Sequence, residues 1–407
     1  MKTAYEVGNN IDVLKKYPDG YFQMCVTSPP YWGLRDYGND PTIWDAQPDC
    51  EHVWDETMFC GKCGAWNGCL GLEPTPELYV QHLVAIFREV KRVLRPDGVF
   101  FLNLGDCYAG KGYFKPEKAI GKGNETAPVH HTIRQPEPKD IGLKAKDLVG
   151  IPWRVAFALQ GDGWWLRNEV IWHKGNPMPS PTDDRFTCSH EHIFLLTKSQ
   201  HYFFDNFAVR EKGVIPAGST GAKGSVKRSS TPMVNSRPPE YMVYSGYRNK
   251  RDVWDINIAQ HKSDIHFAVF PESIPEICIK AGTSEKGNCP KCGSPWERIL
   301  ERTKADREDR EDNPNVGGFQ RCPTEIDDVK FVGWQSTCKC GLDPIPAVVL
   351  DLFAGEGTTL RVARRLGRSS VGIDINPNFR EVAANEVDTP DIMEMVSRME
   401  RGEAANE

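Results

Sequence analysis

The chain lacks any apolar run long enough to cross a bilayer; its longest stretches, such as Val99 to Leu104, are of strand length, so no membrane partner is expected. The opening MKTAYEVGNNIDVLKKYP has no apolar segment of signal-peptide character, so no secretory leader is expected. Positive charge is in deficit, with 50 Lys and Arg against 56 Asp and Glu, a net −6 that by itself would exclude a nucleic-acid binder. No paired acid-and-lysine cluster of a nuclease is present. Without a secretory context, the 13 cysteines argue against a disulfide framework and for metal sites or core thiols.

What is there bounds the fold. The 407 residues suit two or three domains or one enlarged α/β catalytic domain, and 39% hydrophobic residues suffice for a packed core. Charge is unevenly placed. Between Asn206 and Arg251 stand nine Lys and Arg (Arg210, Lys212, Lys223, Lys227, Arg228, Arg237, Arg248, Lys250, Arg251) against Glu211 and Glu240, a local +7. Tyr241, Tyr244 and Tyr247 are interleaved, a composition that can track a phosphate backbone, although a solvated surface insertion has the same character. The segment from Tyr108 to Lys146 reads as a long loop rich in Gly, Lys and Pro, and Glu301 to Asp312 as a solvated mixed-charge run.

Two segments carry chemistry. AVVLDLFAGEGTTLRVARRLGRSSVGIDINP predicts a strand at Val348 to Leu352, a glycine turn, a helix from Thr358 to about Leu366, and a second strand from Ser370 to Ile373 ending in Asp374. Gly355 and Gly357 let backbone approach a ligand at a helix N-terminus, and an acid about 20 residues on can accept from ribose hydroxyls. The third glycine of a dinucleotide fingerprint is missing, which disfavours a nicotinamide cofactor. Near the start, the strand FQMCVT (Phe22 to Thr27) runs into Ser28-Pro29-Pro30-Tyr31. Prolines remove N–H donors and leave carbonyls free, so a serine hydroxyl and a proline carbonyl can accept from an amino group beside a tyrosine stacking face; a proline-rich turn with core aromatics would read alike.

Cysteine spacing adds metal candidates. Cys50, His52, Cys60 and Cys63 offer four tetrahedral ligands in a glycine-rich loop, with Cys69 as a reserve. Cys289 and Cys292 (NCPKCG) and Cys338 and Cys340 (CKCG) form a second set whose halves are separated by 45 residues. Each set is expected to hold structural zinc, since four protein ligands leave no open position for catalysis.

TSPPY followed far downstream by DLFAGEGTT resembles the S-adenosylmethionine-dependent DNA amino-methyltransferases of bacteria and phages, in the order of their β group. EVKRVLRPDGVFFLNLGD (Glu89 to Asp106), Glu169 to Asp205, and SDIHFAVFPESIPEICI (Ser263 to Ile279) resemble further family segments in the same order. The resemblance implies a doubly wound, Rossmann-like α/β sheet with helices on both faces, a recognition insertion and zinc-stapled loops. It implies that Ser28 and the carbonyl of Pro29, followed by Pro30, grip the target amine while Tyr31 stacks on a flipped base, which must leave the duplex to expose that amine. Cys25 is then a buried strand thiol and no nucleophile. Asp351, Phe353, Ala354, Gly355, Gly357 and Thr358 would line the methyl donor, Asp374 would hold its ribose, and Asp264, His266 and Phe270 would complete the pocket. Where the family often has Gly-Asp near the start, this chain has Gly8-Asn9, so an acidic adenine contact is not expected there.

The expected organisation is a catalytic half at 1–205 with a zinc loop at 45–70, a recognition region at 206–251, and a cofactor half at 252–407 with a zinc ribbon at 285–342. Serine at the first motif position leans by resemblance to cytosine N4, with adenine N6 left open because aspartate is commoner there. Double-stranded DNA is the expected partner, any cognate restriction enzyme would be a separate chain, and a cytoplasmic location in a bacterium or phage-infected host is implied. Two rivals remain open at this point: methylation of RNA or protein, and a catalytically dead zinc-bearing DNA-binding protein.

Overall fold

Runs such as FQMCVT and FFLNL are apolar at nearly every position, the pattern of strands covered on both faces rather than one. The computed structural model describes residues 1–110, 138–213, 247–258, 270–303 and 328–384. Its first half runs β1 (Thr3–Val7), α1 (Asn10–Leu14), β2 (Phe22–Thr27), β3 (Thr42–Trp44), β4 (Trp66–Gly68), α2 (Pro76–Val93), β5 (Leu94–Leu104), α3 (Ile151–Gly161), β6 (Trp165–His173) and β7 (His190–Thr197). There follow β8 (Glu211–Lys212), β9 (Tyr247–Arg248), β10 (Val253–Asp255), α4 (Ser273–Gly282), β11 (Trp296–Thr303) and β12 (Asp328–Ser336). The last elements are β13 (Val348–Asp351), α5 (Thr358–Arg365), β14 (Ser369–Asp374) and α6 (Asn378–Ala384).

Eight strands form one sheet in the order β1-β14-β13-β2-β5-β7-β6-β10. Side chains alternate across it with period two. Phe100 and Leu102 join Leu83, Val90 and Val155 of α2 and α3 on one face, while Val99 and Phe101 meet Ile274, Cys278 and Val362 of α4 and α5 on the other. This is the doubly wound layering the sequence implies, and it explains the unbroken apolar runs. Phe22, Phe87 and Phe100 are fully buried, and each fully buried aromatic contributes on the order of 2–3 kcal/mol through apolar burial.

One strand departs from a wholly parallel sheet. β7 is antiparallel to both neighbours, β5 and β6. The cause lies in the connection: residues 174–189 contain no helix, and a parallel return needs a crossover element. β7 therefore starts at the edge where β2, β5, β6, β13 and β14 end.

The sequence-predicted boundaries hold within a residue or so: the second strand begins at Ser369 and the intervening helix ends at Arg365. Cys25 is fully buried in β2, and burial pushes its thiol well above the usual range, as expected of a core thiol. Most of the long loop after Tyr108, the middle of the basic stretch (214–246) and most of the charge run after Glu301 lie outside the described residues.

Candidate active site

A cleft of about 450 Å³ opens where the strands end. Its lining takes Ser28, Pro29, Pro30 and Tyr31 from the turn after β2, and Asp351, Phe353, Ala354, Gly355, Thr358 and Asp374 from β13, β14 and the turn between them. The two halves meet because β2 and β13 are adjacent in the sheet, with Cys25 in register with Leu350. Phe270 also lines the cleft; Asp264 and His266 lie outside the described residues. Gly357 sits behind it as the left-handed N-cap of α5.

Tyr31 is the centre of the end of the cleft that follows β2. Its ring lies over Gly105, where an added Cβ would stand 2.5 Å from Tyr31 Cε2, so only glycine leaves room for it. The Tyr31 hydroxyl donates to Glu191 Oε2 at 2.6 Å and accepts from the Ser28 hydroxyl at 3.2 Å. The Asn103 amide donates to Ser28 Oγ, Tyr31 Oη and Glu191 Oε2, and Lys174 Nζ reaches Glu191 Oε1 at 2.5 Å. Burial, reinforced by the Glu191 charge, holds the Tyr31 phenol well above its ordinary range, so it stays protonated. The Pro30 carbonyl is taken by the Tyr79 hydroxyl at 2.7 Å; among the described residues none donates to the Pro29 carbonyl, which remains an open acceptor.

At the other end, buried polar groups fix the glycine turn. Asp351 Oδ1 accepts from the Thr27 hydroxyl at 2.6 Å and its Oδ2 from Thr359 at 2.5 Å. Its carboxylate thus shapes the turn, and burial lifts it from 3.8 to about 6 despite these donors. Asp374 accepts from the backbone N–H of Gly355 and Asn376, both at 2.9 Å, and is likewise raised by burial. Tyr5 donates to the Gly355 carbonyl. Asn9, in the Gly8-Asn9 pair, caps α1 through Ile11 N, so its side chain is committed to the helix.

A buried brace links this cleft to its wall. Glu73 accepts from Gly71 N and pairs with His82 Nδ1 at 2.9 Å, while Trp44 and Trp66 stack on the His82 ring. Trp32 Nε1 donates to the Glu73 carbonyl, and Gly33 N to Gly71 O. Burial raises the Glu73 carboxyl, with His82 opposing the rise. Asn103, Lys174, Glu191 and the Glu73–His82 pair were not singled out from sequence. Asn103 was the most readable of them, as a polar residue inside FFLNL; Glu191 is half of a polar alternation (SHEH) that signals only an emerging strand.

Both cysteine sets converge. Within Cys50, His52, Cys60 and Cys63, and within Cys289, Cys292, Cys338 and Cys340, all ligand atoms lie within 4.8 Å of one another. Thiolates bound at about 2.3 Å to a tetrahedral zinc stand about 3.8 Å apart; Cys50 and Cys60 are separated by 3.9 Å, and Cys292 and Cys340 by 3.7 Å. Burial and the adjacent Cys63 and Cys60 thiols push Cys50 up to about 11, and the Cys292 and Cys338 thiols push Cys340 up to about 12, so each set crowds thiols that a cation would relieve. Cys69 stands apart, its thiol on the Asn39 carbonyl, so it is not a ligand of the first set. The ends of the basic stretch pair as β8 and β9, where Glu211 accepts from Arg248 and Arg251, both at 2.7 Å.

Fold and cleft together define a Rossmann-like methyltransferase. The solved structure of the PvuII DNA methyltransferase, described as cytosine-N4-specific, matches the fold with a TM-score of 0.50 at 14% identity, covering 99% of this chain and 94% of that one. The N6/N4 methyltransferase family model, described as DNA methylase, matches residues 22–289 and 343–385. Among curated relatives, the type II methyltransferase M.XycI of Xanthomonas campestris pv. cyanopsidis is 38% identical over 95% of this chain and 87% of its own length. The type II methyltransferase M.Cfr9I of Citrobacter freundii is 32% identical over 96% and 88%. The chain belongs to this N6/N4 DNA methylase family, the amino-methyltransferases of the restriction–modification kind.

Proposed function

We propose that this enzyme transfers a methyl group from S-adenosylmethionine to the N4 amine of a cytosine flipped out of double-stranded DNA. The observation that carries the reading is the single cleft that joins Ser28, Pro29 and Tyr31 to the Gly355–Asp374 end. The residues fit such a donor: Asp374 supplies an acceptor for ribose hydroxyls, Phe270, Phe353 and Phe379 supply apolar faces for a purine, and the buried Asn10 Oδ1, which lacks a protein partner, lies in the same lining. The bound donor would supply an electrophilic sulfonium methyl.

The chain's own residues then position and accept. Ser28 Oγ and the Pro29 carbonyl take the amine hydrogens, leaving the nitrogen lone pair aimed along the cleft, and Tyr31 offers its ring face to the base. Fixed acceptors at the nitrogen oppose the positive charge that develops there. The choice of cytosine rests on Ser28 where aspartate is commoner in adenine N6 enzymes. Zinc at the two cysteine sets, DNA contact by the basic 206–251 stretch and a separate restriction partner complete the proposal. Labelled methyl transfer to duplex DNA, followed by nucleoside mass spectrometry, tests it: N4-methylcytosine is expected, N6-methyladenine would reassign the base, and unlabelled DNA would sink the reading.

A further inference from the structure

The Ser28–Tyr31–Glu191 chain has a direction, and one group sets it. A carboxylate can only accept, so the Tyr31 hydroxyl points its proton at Glu191 Oε2 across 2.6 Å. The Tyr31 lone pair is then presented to Ser28, whose hydroxyl donates to it at 3.2 Å. With Asn103 donating to one of its lone pairs, Ser28 keeps the other as an acceptor, the polarity that gripping an amine requires. Lys174 does not explain why Glu191 is there, because it engages Oε1 while Tyr31 and Asn103 share Oε2. The ion pair is shielded, with side chains 18% and 13% exposed, so the charge at Glu191 is held close to the cleft. The reversed strand β7 is what brings it there, Glu191 being the second residue of that strand.

We infer that Glu191 is a positioning residue that fixes the hydroxyl polarity of Ser28 and Tyr31 and receives the proton the methylated amine must shed; the inference rests on the amine-methylation reading above. In balance, the amine nitrogen bonds the methyl carbon as the carbon–sulfur bond of the sulfonium breaks, its electron pair remaining on sulfur. The nitrogen's extra proton passes to Ser28 Oγ, the serine proton to Tyr31 Oη and the tyrosine proton to Glu191 Oε2. Both hydroxyls end as they began and Glu191 ends neutral, to lose its proton to water. The protonated state of Tyr31 at rest agrees with this shuttle, since no tyrosinate has to accumulate.

The test uses the full chain, S-adenosylmethionine, and a target duplex identified by sequencing modified DNA, with wild type, Glu191→Gln, Tyr31→Phe and the double variant. Removal of a positioned proton acceptor costs about 10²-fold or more, so each single variant should lose about that factor in single-turnover rate. The double variant should lose no more, because both substitutions cut one chain. Calorimetric affinity for S-adenosylmethionine and base flipping seen by 2-aminopurine fluorescence should not change. A Glu191→Gln rate within about threefold of wild type, short of the acid–base factor, overturns the inference. Losses that multiply in the double variant, or a loss of cofactor affinity or flipping in Glu191→Gln, also overturn it. Unlabelled DNA with wild type would instead defeat the underlying reading.

Discussion

The same turn occurs twice in this molecule. Gly64 N donates to Cys60 O at 2.8 Å and Cys60 N to Ala65 O at 2.7 Å; Gly293 N donates to Cys289 O and Cys289 N to Ser294 O, both at 2.8 Å. Both glycines are left-handed, at φ 79° and 71°, which aims two thiols at one point. The surroundings differ. The first set belongs to the excursion bounded by β3 and β4, whose Thr42 and Trp44 line the cleft and whose tryptophans stack on the His82 brace. The second sits where strands begin: Arg95 reaches Cys292 O, Asn288 holds Gln23, and Asn288 pairs with Ile345 just before β13. One cysteine set lies beside the cleft; the other lies where strands of the sheet begin.

That contrast can be broken in four places. The largest effect is expected at the brace. Glu73→Ala leaves His82 and Gly71 N–H without their buried partner, a loss of about 3–5 kcal/mol in unfolding free energy by denaturant titration. Asp351 comes next. Because the folded protein keeps this proton up to about pH 6 while the unfolded chain releases it near 3.8, its contribution is whole below about pH 4 and is lost as pH rises through 6. The unfolding free energy of Asp351→Asn relative to wild type should therefore climb between pH 4 and 6, by at most about 3 kcal/mol.

Third, Cys63→Ser should cost about 10²-fold in single-turnover methylation by loosening the cleft wall and the Pro30–Tyr31 turn it supports, with far-ultraviolet circular dichroism retained. Smallest at the chemistry should be Cys289→Ala: metal content per chain falls and the melting temperature drops, while turnover at 25 °C stays within about threefold, a change under 1 kcal/mol. Equal kinetic losses in the two cysteine variants would erase the distinction drawn between the clusters.

Much of this was legible in sequence because the informative residues sit close together along the chain. The strand–glycine turn–helix–strand unit from Val348 to Asp374 is a local pattern, as is the Ser28–Tyr31 turn, and CxxC spacing declares its own geometry. Even the pairing of Cys289 and Cys292 with Cys338 and Cys340 could be read, since each half alone is incomplete. What could not be read depends on topology. Nothing local to Glu191 says that β7 runs backwards, and without that reversal the residue would lie at the opposite edge from Tyr31. His82 looks like any polar residue on a helix until the β3–β4 tryptophans close over it. The +7 stretch shows why net charge misled: a sum over 407 residues says nothing of the surface that would meet phosphate.

The sheet order also sets a schedule for synthesis. Among the described residues β1 pairs with β14 alone, Thr3 against Ser370, and β2 needs β13 on one side, Val349 against Met24. At about 5–20 residues per second, a ribosome takes on the order of 20–70 s to make the intervening chain. During that time the Ser28–Tyr31 turn emerges with half of its cleft still unmade. A nascent chain arrested before β13 is expected to bind neither donor nor DNA base, which ribosome-stalled chains of increasing length would show as a late, single step in S-adenosylmethionine binding. The enzyme would become competent only once β13 and β14 have been made.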